Sequence, residues 1–218
     1  MARIEHHKNK SGFQEKKILI VSEDSKSFPS YFKKILEEFG FQYVRKDDLF
    51  RKTNSQSRES IIVKIEHIDN CLKVVSHADS QSKKFYRVYC IFDDLRNQKD
   101  CSYEKAISFK TKENVVKINS SPSYEFWLVL HFSKSDAGYL NDEKLIKKLE
   151  ELVRKIGGKK DFKYSKSDFP NHLFELVLER LPDAIKNAKA IEKSNLKTNA
   201  KSPSTKIYQL IEDFKNEF

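Results

Sequence analysis

Residues 86–94, YRVYCIFDD, form a run of β-branched and aromatic side chains that stops at two adjacent carboxylates. Val88, Tyr89, Cys90, Ile91 and Phe92 are continuously apolar, the pattern of a strand buried on both faces of a parallel sheet. Asp93 and Asp94 then fall at its carboxyl end, the edge at which open α/β sheets bind ligands. A plainer reading, in which Asp-Asp merely opens a solvated turn, stands beside it. Upstream, KILIV at 17–21 is a second short apolar run, and it too ends in acids, Glu23 and Asp24. A helix follows, with Pro29 in its first turn, Tyr31, Phe32, Ile35, Leu36 and Phe39 at helical spacing, and Gly40 as its stop. Strand, acid-bearing loop and helix make the first half of a βαβ unit. SIIVKI at 60–65 and NVVKI at 114–118 supply two more strands, and helices are expected at 69–79 and 101–110. Four strands alternating with helices predict a mainly parallel four-stranded sheet with right-handed crossovers. The polar stretch 41–60 reads as a solvated excursion holding one short turn.

Residues 120–132, SSPSYEFWLVLHF, predict a helix with Pro122 in its first position. It is apolar nearly all round and so should be buried. Glu125 and His131 are its only ionisable groups, and about one and a half turns separate them. Glu125 near a helix N-terminus has a simple electrostatic explanation, and a core histidine explains His131. Beyond residue 133 the chain turns to Lys-rich helices, with apolar stripes at 142–156, 169–181 and 183–196, and a last helix begun by Ser202-Pro203. Lys186, Lys189, Lys193 and Lys197 share one face, either a phosphate-backbone track or an ordinary solvated face. The expected organisation is a flexible basic arm at 1–16, an α/β core at 17–134 and a helical region at 135–218 packed on that core.

Forty-two Lys and Arg against 32 Asp and Glu leave a net charge of +10, which favours a polyanionic partner such as RNA or DNA. Only five Gly residues occur, with neither GxxxxGK[ST] nor GxGxxG, which argues against P-loop NTPases and Rossmann dehydrogenases. Three cysteines without CxxC spacing fit a cytoplasmic protein lacking disulfides and zinc. No apolar run approaches membrane-spanning length, and the first residues lack the apolar segment of a secretory signal.

If the first and third strands are neighbours, Glu23 and Asp93 come within several ångströms, because adjacent strands lie roughly 5 Å apart. Carboxylates so crowded repel unless a cation neutralises them, and Mg²⁺ or Mn²⁺ is the natural occupant, held by Glu23, Asp93 and Asp94. With a basic surface around it, phosphodiester hydrolysis is the coherent reaction. Glu23 is the candidate general base or ligand, Asp93 and Asp94 the further ligands, and Glu125 an additional acid. Lys26, Ser120 and Ser121 are the candidate phosphate contacts.

Four segments resemble the RloB-like family in the same order. ILIVSEDSKSFPSYF is similar to its opening strand with E-G-x-x-T-E and a Tyr-Phe pair, and VYCIFDD to its Asp-rich third strand. SSPSYEFWLVLHF resembles S-N-P-x-F-E-x-W-L-L-L-H-F, and SPSTKIYQLIE resembles N-P-S-T-x-V-x-x-L-V. The resemblance implies a Toprim-like core related to the abortive-infection protein AbiLii and to nucleases that act beside ABC-type or AAA ATPases in phage defence, with RNA such as tRNA ahead of DNA. It also implies that Glu23, Asp93 and Asp94 carry metal and general acid/base chemistry. Departures are visible: Asp24 replaces the Gly after the catalytic Glu, Phe28 replaces an acid, and D-x-D is compressed to Asp93-Asp94. These leave room for a degenerate nucleic-acid-binding or ATPase-docking subunit. A response-regulator receiver, with Asp93 as phosphoacceptor, is a third reading.

Overall fold

A computed structural model describes residues 14–45, 47–94, 102–134, 142–157, 160–166 and 171–218. Most of the expected basic arm lies outside these residues, and residues 14–16 already belong to the first strand. The strands are Gln14–Ser22 (β1), Gln42–Val44 (β2), Leu49–Asn54 (β3), Glu59–His67 (β4), Arg87–Asp93 (β5), Val115–Ser121 (β6) and Ser204–Thr205 (β7). The helices are Ser27–Glu38 (α1), Cys71–Gln81 (α2), Ser102–Ser108 (α3), Glu125–Leu130 (α4), Asp142–Gly157 (α5), Asn171–Glu179 (α6), Leu181–Thr198 (α7) and Ile207–Asn216 (α8).

All four expected strands form, and they stand side by side as β4-β1-β5-β6, each parallel to the next. The sheet is larger than four strands, however, with the full order β2-β3-β4-β1-β5-β6-β7 among the described residues. Its three added strands all pair antiparallel at the edges. The stretch read as a solvated excursion is therefore a hairpin. Phe50 is the one β3 side chain driven into the core, while Arg51, Thr53 and Asn54 face water, so the polar composition reflects an edge position and not a loop.

Alternation along the central strands splits the core into two layers. Ile18, Ile20, Tyr89, Ile91 and Ile118 face one side and meet α1 and α4 through α8. Leu19, Val21, Val88, Cys90 and Phe92 face the other and meet α2 and α3. The helical region thus packs on the same layer as α1. It also enters the sheet, since Ser204 and Thr205 pair with Ser121 and Ser120. Trp127 of α4 is fully buried and donates its indole N–H to the Tyr31 hydroxyl at 3.1 Å.

Neither Pro122 nor Pro203 opens a helix. Ser120 and Ser121 extend β6, and α4 starts only at Glu125; Ser204 and Thr205 form β7 before α8 starts at Ile207. In both places strand pairing takes up the residues around the proline. His131 is a core histidine, as its setting suggested: its Nδ1 lies 2.9 Å from the Trp127 carbonyl, and burial pulls its pKa down to about 3, so the ring is neutral.

α1 is fixed by Asp24. One carboxylate oxygen accepts the Lys26 and Ser27 amides at 2.8 and 3.3 Å, and the other accepts the Phe28 amide at 2.8 Å and the Ser27 hydroxyl. The residue that stands in place of an expected glycine therefore satisfies the orphan donors of a helix N-terminus. At the other end Gly40 takes φ +84, the left-handed geometry that closes a helix, and its amide returns to the Glu37 carbonyl at 2.9 Å. Phe28 stacks on Phe32 and meets Tyr124 edge-on, so it serves packing in place of an acid.

Candidate active site at the carboxyl edge of the sheet

Because β1 and β5 are parallel neighbours, their carboxyl ends deliver Glu23 and Asp93 to one place. The Glu23 amide donates to the Ile91 carbonyl at 2.9 Å, which holds the first residue beyond β1 against β5. Its carboxylate accepts the Asp93 amide at 3.2 Å and lies 3.3 and 3.4 Å from the Cys71 sulfur. Burial, and then the Glu23 charge, push the Cys71 thiol up to about 12, so this sulfur keeps its proton and acts as a donor.

The third acid arrives from the other end of the parallel set. Glu125 opens α4 just beyond β6, is only 1% exposed, and accepts from the Ser123 hydroxyl at 2.7 Å and the Tyr164 hydroxyl at 3.3 Å. The Lys166 ammonium lies 3.3 Å from Glu125 Oε1 and 3.3 Å from Asp142 Oδ2. Glu23, Asp93, Glu125, Asp142 and Lys166 line a cleft of about 190 Å³.

Crowding is written into the proton affinities. Burial raises the Asp93 carboxyl well above the ordinary carboxylate range, repulsion from Glu125 and Glu23 adds to it, and the Tyr124 amide and Lys166 offset only part. Burial by itself would lower Lys166, yet the fields of Glu125, Asp142 and Asp93 outweigh it and hold the ammonium above the usual lysine range. Strongly shifted groups gathered in a cleft mark a functional region.

The remaining candidates go elsewhere. Asp94 is 6% exposed and accepts the Ser121 hydroxyl at 2.9 Å, while its amide donates to the Ser120 carbonyl at 2.8 Å. Successive strand residues point to opposite sides, so Asp93 enters the cleft and Asp94 turns to the end of β6. The Ser120 hydroxyl is 2.9 Å from that of Thr205 and serves the β6–β7 pairing. Lys26 is exposed at the start of α1. Lys186, Lys189, Lys193 and Lys197 are all exposed on α7, and Lys189 is paired with Glu212 at 2.6 Å.

Asp142 and Lys166, which line the cleft, and Cys71 and Tyr164, which contact its acids, are residues that sequence reasoning missed. Lys166 sits in a run of lysines with nothing local to set it apart, and only the packing of the 160–166 segment against α4 brings it in.

Among the described residues no group of three or more His, Cys, Asp or Glu side chains stands ready to hold a metal ion. Mg²⁺ does not require one, since it keeps several waters and is bound through one or two carboxylates plus substrate phosphate. Glu23 and Asp93 are the carboxylates that could hold such an ion, and a hard cation would offset part of what burial and repulsion impose on Asp93.

No helix among the described residues is long and apolar enough to cross a membrane. No curated protein and no solved structure matches the chain. The family model for RloB-like protein, by contrast, matches residues 18–214, from the core of β1 through Phe214 in α8. By that match, which takes in every acid of the cleft, the chain belongs to the RloB-like protein family.

Proposed function

We propose that this protein is a metal-dependent nuclease of the Toprim type, hydrolysing phosphodiesters of RNA or DNA as the effector of a phage-defence system, beside an ATPase partner of the ABC or AAA class. The observation that carries the reading is the meeting of Glu23 and Asp93 at the carboxyl edge of two parallel strands, with the Asp93 proton affinity raised by burial and then by its acidic neighbours. A parallel strand set with acids after β1 and β5 is the arrangement a Toprim-like core requires, and the net charge of +10 suits a polyanionic substrate.

In hydrolysis a water oxygen bonds to phosphorus, the ester P–O bond breaks, and the departing sugar oxygen takes a proton from solvent. Glu23, oriented by Cys71 and the Asp93 amide, accepts the proton of the attacking water. A divalent cation bound by Glu23 and Asp93 would supply Lewis-acid polarisation and a lowered water pKa. Glu125 is enclosed by Ser123, Tyr164 and Lys166 and acts as a positioning residue for that lysine.

The test is cleavage of bulk tRNA, single-stranded RNA and plasmid DNA with Mg²⁺ or Mn²⁺ by the wild type, Glu23→Ala and Asp93→Ala. Metal-dependent cutting by the wild type, reduced at least about 1000-fold in both variants, is expected. Cutting that survives in both would overturn the assignment. One observation favours a second reading: Asp94 is engaged by Ser121 and no three-ligand set is preassembled among the described residues, as a binding or ATPase-docking subunit without catalysis would have it. Such a protein would bind nucleic acid and leave it intact with either metal and with the ATPase present.

A further inference from the structure

The apolar layer beneath α2 and α3 takes its side chains from β1, β5 and β6, and none from β3 or β4 among the described residues. On that side of the sheet β3 and β4 are left open, and their residues line a groove of about 340 Å³. It shares no lining residue with the acid cleft. Strand register places its cations. Lys17 of β1 and Arg51 of β3 stand on either side of Ile62 of β4, roughly 10 Å apart across two strand spacings, and Lys64 stands one pleat further along β4, beside Leu49. Phe85 borders the groove at the amino end of β5. There the Tyr86 amide donates to the Lys17 carbonyl at 2.7 Å, and Asn114 Nδ2 donates to the Phe85 carbonyl at 3.0 Å.

Three cations line the groove against one acid, Glu15. Glu15 pairs with Lys17 at 3.2 Å, and Glu66, outside the lining, pairs with Lys64 at 2.7 Å. Both lysine side chains are about half exposed, and solvated pairs of this kind are weak, so each ammonium keeps donors for an entering anion. Arg51 is exposed and pairs with no acid among the described residues. A guanidinium and two ammoniums set around Ile62, Leu49 and Phe85 combine backbone-binding charge with a stacking surface, the combination by which proteins hold single strands. An acidic peptide would answer the charge alone, whereas each nucleotide brings a phosphate for the cations and a flat face for the ring. We propose that this groove is a binding site for single-stranded nucleic acid, in which a base lies against Phe85 and phosphates meet Arg51, Lys17 and Lys64. The site rests on the reading above only for the class of ligand, and it adds a second contact apart from the cleft.

The experiment measures binding of a single-stranded RNA of about 16 nucleotides by fluorescence anisotropy across a salt series, on the full chain, with a chelator present so that no metal-dependent cutting intervenes. The proteins are the wild type, Phe85→Leu, Arg51→Lys, and a triple variant with Lys17→Gln, Arg51→Gln and Lys64→Gln, and circular dichroism checks each fold. The triple variant should lower the salt slope by about 2, since each phosphate contact on a single strand contributes about 0.7. Phe85→Leu keeps an apolar side chain without the ring, and should weaken binding about fivefold or more at an unchanged slope. Arg51→Lys should keep the wild-type slope. A triple variant with the wild-type slope, or Phe85→Leu with wild-type affinity, overturns the proposal. Poly-glutamate that displaces the strand as well as RNA of equal charge would make the groove a site for acidic protein and overturns it too. If slope and affinity fall as expected but no nucleic acid is cut with Mg²⁺ or Mn²⁺, the groove stands and the hydrolase reading falls; cutting that needs Glu23 and Asp93, beside unchanged binding by these variants, gives the reverse.

Discussion

At the carboxyl edge of the sheet, Glu23, Asp93 and Glu125 converge from three elements on one cleft, whereas on α7 Lys186, Lys189, Lys193 and Lys197 spread along a single exposed face. Both groups are visible in the sequence as clustered like charge. The lysines cost the fold little, because water screens them and Glu212 pairs with one. The acids are brought together in a buried place and against repulsion, and the rise in the Asp93 proton affinity records burial first and repulsion second. A fold keeps such a cost where the strained arrangement does something, and a solvated stripe carries no comparable information.

Substitutions should separate the two regions most sharply in stability. Glu125→Ala strands the Ser123 and Tyr164 hydroxyls and the Lys166 ammonium, and a loss of about 3 kcal/mol is expected in urea melts. A loss under about 1 kcal/mol would mean that the buried acid is not an anchor. Asp24→Ala should cost about 1 kcal/mol by removing the acceptor of the first α1 amides, while Asp24→Asn, which keeps one acceptor oxygen, should cost less. Equal costs would separate Asp24 from helix capping.

A further contrast is one of slope. The folded chain holds the Asp93 proton more tightly than the unfolded chain does, so ionising Asp93 costs stability. That penalty is absent below the ordinary value of 3.8 and grows as pH rises toward the raised folded value. Asp93→Asn removes it, so the variant should gain on the wild type in urea midpoints as pH rises above the ordinary value of 3.8. A difference that stays flat with pH would show that neither burial nor its acidic neighbours raise Asp93.

Smallest are the α7 lysines. Alanine at Lys186, Lys193 or Lys197 should shift stability by less than about 0.5 kcal/mol each. If this face tracks phosphates, each replacement lowers the salt slope of RNA binding by about 1; an unchanged slope makes it a plain solvated surface.

The four central strands were legible because strands buried on both faces are continuously apolar. β2 and β3 were not, since an edge hairpin buries little beyond Phe50, and β7 is two residues long with no pattern to read. Glu23 and Asp93 could be paired from strand order alone. The separation of Asp93 from Asp94 was foreshadowed by strand alternation, but Lys166 and Asp142 reach the cleft, and Tyr164 reaches Glu125, from helices and loops whose placement no local signal fixes.

The most direct measurement is Mn²⁺ binding by calorimetry to the wild type, Asp93→Asn and Asp94→Asn. The cleft described above predicts that Asp93→Asn loses the ion while Asp94→Asn, altered at the Ser121 contact, keeps it within about threefold of wild-type affinity. Loss of binding in Asp94→Asn with retention in Asp93→Asn would contradict the cleft as the metal site.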